Sequence, residues 1–82
     1  MLTIVYSMNT ELSQNFGEII KELRKEKEIS QEELGFRANL HRTYIGMIER
    51  GEKNITLENI EKLSKGLDVS MTLIFEKLNK IH

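Results

Sequence analysis

Ser30-Gln31-Glu32-Glu33-Leu34-Gly35-Phe36-Arg37-Ala38-Asn39-Leu40-His41-Arg42-Thr43-Tyr44-Ile45-Gly46-Met47-Ile48-Glu49-Arg50-Gly51 is the stretch whose reading decides the fold. It reads as two short helices joined by a tight turn. Ser30 is an N-cap residue, and Glu33 three places on completes a capping box. This helix is expected to run to about Ala38. Asn39 then stands where a left-handed residue is needed, a conformation asparagine adopts at low cost because its short polar side chain bonds locally. Leu40 is expected to be a buried pivot. The second helix starts near Arg42 and ends at Arg50, where Gly51 can close it. Leu34, Ala38, Leu40, Ile45 and Ile48 fall on one side of the pair, so the two helices share a small core. Arg42, Thr43, Tyr44 and Met47 are left outward on the second helix.

A short second helix with a polar leading edge has the geometry that enters the major groove of DNA. Three more helices surround the pair. The first starts between Thr10 and Ser13 and ends near Lys27, with Phe16, Ile19, Ile20 and Leu23 spaced as one apolar stripe. Thr56 caps the fourth, whose inward face is Leu57, Ile60, Leu63 and Leu67, with Gly66 close to its end. Ser70 caps the fifth, which runs to about Asn79. Residues 1–9 form an N-terminal extension with strand-like composition and no partner strand. They are expected to be irregular, to prolong the first helix, or to lie on a dimer surface. Residues 10–82 form the domain.

The fifth helix is too apolar for one buried face. Ile74, Leu78 and Ile81 share a stripe flanked by Phe75, which leaves Leu73 and part of Met71 looking outward. An exposed apolar patch of this kind suggests a two-fold contact between copies, drawing on Met71, Leu73, Ile74, Phe75 and Leu78. The other reading is that this helix merely closes the core.

Composition narrows the classes. Eighty-two residues make one small domain, which dimerisation would help to stabilise. With no cysteine there is no disulfide, thiolate metal site or cysteine nucleophile. The apolar runs are too short to span a membrane, and the first residues lack the basic start and apolar centre of a secretory signal. A prokaryotic cytoplasm is the expected compartment. Proline is absent and 30% of residues are charged, which suits a mostly helical chain. The net charge of −1 argues against a nucleic-acid binder taken alone. Its distribution does not: from Arg37 to Lys53 there are four cations (Arg37, Arg42, Arg50, Lys53) and two anions (Glu49, Glu52), a local net of +2. One basic face on a near-neutral protein binds non-specific DNA only weakly.

Ser30-Gln31-Glu32-Glu33-Leu34, Ile45 and Ile48-Glu49-Arg50-Gly51 resemble the Cro/C1-type helix-turn-helix family of phage repressors, the XRE family. The likeness runs from about Phe16 to Phe75. Arg42-Thr43-Tyr44-Ile45, Ile48-Glu49-Arg50 and the ending Asp68-Val69-Ser70 through Phe75-Glu76 are most similar to the controller proteins of restriction–modification systems. The resemblance implies an all-α, five-helix, lambda-repressor-like domain with its helix-turn-helix at helices 2 and 3. It implies a homodimeric regulator that binds a palindromic operator upstream of its own gene and the endonuclease gene. It also implies a backbone-phosphate contact at Gln31, and an ion pair between Arg24 and Glu49 tying the first helix to the third. The chain departs from the family in two places. Gly35 stands where alanine is usual, either to permit close packing on the third helix or as a weak spot. Asn39 stands where glycine is usual.

Arg42 is the leading candidate for reading a base, because a guanidinium can bond O6 and N7 of guanine together. A phosphate contact or a solvated charge is the alternative. Thr43 offers a hydroxyl to phosphate or a methyl group to thymine. Tyr44 either lays its ring on a thymine methyl, sends its hydroxyl to the DNA backbone, or packs against the second helix. Met47 either touches thymine methyls or fills space. Gly46 has no side chain to read a base and is expected to let the helix approach the groove. Gln31 starts a helix whose free N–H groups favour phosphate. Arg50, Lys53 and Asn54, with Arg37 and His41 as weaker candidates, are placed to hold flanking phosphates, contacts that set register rather than sequence.

No catalytic constellation, phosphate loop or cofactor site is legible, and His41 and His82 have no ligand-spaced companion for a metal. The chain is therefore expected not to be an enzyme. Surface glutamates outside the DNA face are candidates for a contact with RNA polymerase. Three rivals stand beside the controller reading: a phage-type repressor, an antitoxin, and a protein–protein adaptor that kept the fold and lost DNA.

Overall fold

The computed structural model describes residues 2–81 and consists of five helices there: α1 (Leu2–Glu26), α2 (Gln31–Ala38), α3 (Arg42–Glu49), α4 (Leu57–Leu67) and α5 (Met71–Ile81). Met1 and His82 lie outside the described residues. α1 begins at Leu2 rather than between Thr10 and Ser13. Residues 2–9 therefore prolong the first helix, one of the three placements the sequence left open for residues 1–9.

Local chemistry sets the other boundaries. Ser30 Oγ accepts the Glu33 N–H at 3.0 Å, Thr56 Oγ1 accepts from Asn59 at 3.1 Å, and Ser70 Oγ accepts from Leu73 at 3.0 Å. Each bond satisfies one orphan donor of a helix start. Asn39 is left-handed (φ 59°, ψ 44°), and the following Leu40 N–H returns to the Gly35 carbonyl at 2.8 Å. Gly51, with φ 74°, follows the last turn of α3. Two further left-handed residues, Glu28 and Asp68, end α1 and α4. Neither is the glycine or asparagine that usually marks such a stop, so composition did not reveal them.

α2 packs on α3 and α4, while α1 packs on α3 and α5. The core lies between them: Phe16, Ile19, Ile20 and Leu23 from α1, Leu34 and Ala38 from α2, Ile45 and Ile48 from α3, Ile60, Leu63 and Leu67 from α4, and Ile74 from α5. Four expectations need correction. Leu57 is not on the inward face of α4 but 67% exposed. It is the first residue of α4, directly after the Thr56 cap. Leu40 is only half-buried, a turn residue packed against the core from its rim. On α5, Ile74 is fully buried within one copy, so it cannot contribute to a contact between copies. Leu73, expected outward, is half-buried against the core, as are Met71 and Leu78. Phe75 and Ile81 are the apolar residues of α5 that face solvent.

Gly35 settles its own question. A Cβ there would stand 2.5 Å from the Leu40 carbonyl oxygen and 3.2 Å from the Arg42 nitrogen. The missing side chain lets the turn fold tightly onto α2, and this close approach offsets the roughly 0.5–1 kcal/mol that glycine costs a helix.

Candidate nucleic-acid interface

α3 is held by one face and free on the other. Ile45 and Ile48 are buried. Arg42 and Thr43 are exposed at the leading end, the Arg42 side chain at 65%. Met47 is half-buried, one turn behind Thr43. His41, a candidate for phosphate, is the N-cap of α3: its Nδ1 accepts the Thr43 N–H at 3.0 Å. That bond occupies one ring nitrogen and orients the start of the helix.

Tyr44 is not simply outward. Its ring packs against the core, and its hydroxyl oxygen accepts a hydrogen bond from Asn59 Nδ2 on α4 at 2.9 Å. The sequence pointed to packing on α2 as the alternative to a DNA role; the hydrogen-bond partner lies on α4 instead. Because the oxygen is accepting, the phenolic proton remains available to an outside acceptor.

The far end of α3 is fastened by charge. Arg24 Nε donates to Glu49 Oε2 at 2.6 Å and Nη2 donates to Oε1 at 3.0 Å, a two-point fork. Arg24 Nη1 donates to the Ile29 carbonyl at 2.9 Å, and Gln31 Nε2 donates to Glu49 Oε1 at 3.0 Å. The Glu49 side chain is 3% exposed. The hydrogen bond to Glu49 raises the Arg24 pKa above its ordinary value against the opposing effect of burial. α1, α2 and α3 thus meet on one carboxylate. Gln31 spends one amide N–H on that junction, leaving its second amide N–H and its backbone N–H for a phosphate.

Close packing supports the junction. A Cβ on Gly17 of α1 would lie 2.2 Å from the Ile48 carbonyl oxygen and 2.9 Å from that of Glu49. Sequence reasoning passed over Gly17; its signal was a glycine inside an otherwise regular helical stripe. Gly46 is buried beneath the side chains of Gln31 and Arg50 rather than open to a groove, which corrects its expected part.

The remaining cations ring this face. Arg37 is exposed and bound to Glu33 at 2.9 Å; Arg42 lies 3.5 Å from Glu32; Arg50 Nε is 2.8 Å from Glu52 Oε2. Hydrogen bonding to Arg50 holds the Glu52 carboxyl below the ordinary glutamate range, and the same contact raises Arg50. Lys53 is exposed in the loop after α3. Asn54, one residue on, turns toward α1, where its Oδ1 accepts from Ser13 Oγ at 3.5 Å. With Leu12, Ser13, Phe16, Ile55, Ile60, Phe75 and Leu78 it lines an open apolar groove of about 350 Å³. Among the described residues, no cluster of His, Cys, Asp or Glu could hold a metal and no helix is long and apolar enough to cross a membrane.

A family profile described as helix-turn-helix matches residues 20–74. Control protein C.BamHI of Bacillus amyloliquefaciens is 53% identical over 55 residues, which are 66% of this chain and 68% of that protein. Control protein C.MunI of Mycoplasma sp is 42% identical over 66 residues, 79% of this chain and 89% of that protein. The crystal structure of the wild-type restriction–modification controller protein C.Esp1396I superposes with a TM-score of 0.79 at 43% identity, covering 84% of this chain and 90% of that one.

Proposed function

We infer the mode of action from the family: the chain belongs to the helix-turn-helix family, and within it to the restriction–modification controller proteins. It is a DNA-binding transcriptional regulator. Each copy inserts α3 into the major groove, with Arg42 and Thr43 reading base edges and Met47 behind them. Tyr44 gives its phenolic proton to a phosphate. Gln31, Arg37, His41, Arg50, Lys53 and Asn54 flank the groove and set register on the backbone. The single observation that carries this reading is the two-sidedness of α3: Arg42 and Thr43 are exposed, while Glu49 at the other end is buried and tied to α1 and α2.

The regulator works as a homodimer. Phe75 is exposed on α5, and Met71, Leu73 and Leu78 lie partly exposed along the same helix. Phe75 and Leu78 border the apolar groove with Leu12. A second copy is the occupant that buries this surface in a closed two-fold contact. The two α3 helices then address half-sites about 34–36 Å apart on one face of a palindromic operator. The protein regulates by occupancy and by surface contacts with RNA polymerase, in the cytoplasm, and catalyses no reaction.

Selection of bound sequences from random duplex DNA, combined with sedimentation of the free protein, tests this reading. The expected result is a two-fold symmetric site and a dimer. No enrichment, or an asymmetric single site bound by a monomer, overturns it.

A further inference from the structure

Every arginine on the α2–α3 face lies beside a carboxylate of the chain itself: Arg37 is bonded to Glu33, exposed Arg42 stands 3.5 Å from Glu32, and Arg50 is bonded to Glu52. The last is the most complete, with Arg50 Nε to Glu52 Oε2 at 2.8 Å and Nη2 to Oε1 at 3.2 Å. Both partners are about half exposed. We propose that Glu52 is an affinity-setting residue that occupies Arg50 in place of DNA phosphate, so that the protein binds any duplex by exchanging this carboxylate for a phosphate. The inference rests on the DNA-binding reading above and adds a role for a residue that reading leaves idle.

Carboxylate and phosphate present the same two-acceptor face to a guanidinium. Exchange between them leaves Arg50 with one charged partner before and one after. The gain from that phosphate contact is therefore smaller than an unpaired arginine would give. The displaced Glu52 carboxylate, two residues from Arg50, also remains close to the negative backbone. Both effects act on the sequence-independent part of binding, which operator and random DNA share. They leave the base edges read by Arg42 and Thr43 a larger share of the net affinity. The overall charge of −1 fits the same arrangement.

The test is a set of anisotropy titrations of the full chain with two labelled duplexes of equal length, one carrying the selected operator and one random, across a range of salt. Glu52→Gln is compared with Glu61→Gln, an equal charge change at an exposed position of α4. Thermal melts confirm that both variants fold. Glu52→Gln should tighten both duplexes by the same factor, about two- to five-fold for an exposed pair, and steepen the salt dependence. Glu61→Gln should change them less. In an Arg50→Ala background the Glu52→Gln gain should shrink to the smaller share owed to repulsion between Glu52 and the backbone. Equal effects of Glu52→Gln and Glu61→Gln, or a gain that is undiminished without Arg50, overturn the proposal while operator binding by the parent chain stands. A parent chain that shows no salt-sensitive binding to either duplex overturns the DNA-binding reading and this proposal together.

Discussion

Glu49 and Glu52 stand about one helical turn apart at the end of α3, and each grips an arginine through two hydrogen bonds of similar length. Their surroundings make them different devices. Glu49 is closed over, with its side chain 3% exposed, and a third donor arrives from Gln31. Glu52 is half in water, its partner likewise. Water cannot replace Arg24 if that pair breaks, so the pair is architecture. Water and salt readily replace Arg50, so that pair is exchangeable. Burial, rather than bond length, decides which carboxylate sets the angle of α3 and which is free to yield to a ligand.

The comparison breaks most visibly at its buried end. Arg24→Ala should lower the unfolding free energy by about 3 kcal/mol in denaturant titrations, because it leaves a desolvated carboxylate with only Gln31. Removing both charges together, as Arg24→Met with Glu49→Leu, should recover most of that loss. A single-variant cost below about 1 kcal/mol would place the Arg24 pair in the same class as the Glu52 pair.

Gly17→Ala probes the same junction without touching charge. Alanine gains helix propensity, about 1 kcal/mol. Its Cβ, however, meets backbone oxygen of Ile48 at 2.2 Å and of Glu49 at 2.9 Å, atoms that no rotamer change can move aside. Net destabilisation of about 1–3 kcal/mol is expected, with loss of operator binding as α3 tilts. Gly46→Ala is the contrast: its Cβ meets flexible side-chain atoms of Arg50 and Gln31 at 3.2 and 3.5 Å, and the fold should tolerate it. A Gly17→Ala variant that melts at or above the parent temperature would show that α1 and α3 can separate cheaply.

How much of this was legible follows from the range of each interaction. The helix pair was readable because its determinants are local: the Ser30 cap, the left-handed Asn39, and the apolar spacing of Leu34, Ala38, Ile45 and Ile48. The ion pair of Arg24 and Glu49 spans 25 positions, and a family resemblance, not spacing, suggested it. The reach of Gln31 into that pair, the bond from Asn59 to Tyr44, and the role of Gly17 depend on how helices are juxtaposed, which periodicity does not encode. α5 was misjudged for a related reason. Its apolar residues cover more than one face, and which of them turn inward depends on where α1 and α4 lie. Ile74 went fully inside, while Phe75 stayed out.

At the free edge of α3 the expected effects are on recognition rather than folding. Arg42→Ala should leave stability nearly unchanged, since its contact with Glu32 is a 3.5 Å pair between two well-exposed side chains. It should relax one operator position by about 1–3 kcal/mol of discrimination in selection experiments. Lys53→Ala should instead weaken all sequences alike and flatten the salt dependence. If the two variants behave identically, Arg42 reads phosphate and not bases.

The smallest effect belongs to Glu52 in the absence of DNA. Its folded-state pKa lies below the ordinary glutamate range because Arg50 bonds to the charged form. A depressed folded pKa means that the unfolded chain takes up its proton first as pH falls. The pair therefore stabilises the fold at pH values above the unfolded glutamate range. That contribution fades as the pH drops through the lower, folded value. Exposure on both sides keeps it slight. Carboxyl chemical shifts of Glu52 followed through the acid range should give a midpoint lower than in Arg50→Ala, with little accompanying difference in melting temperature. An unchanged midpoint would mean that the two side chains seldom meet in solution, and Arg50 would then face DNA without a competitor.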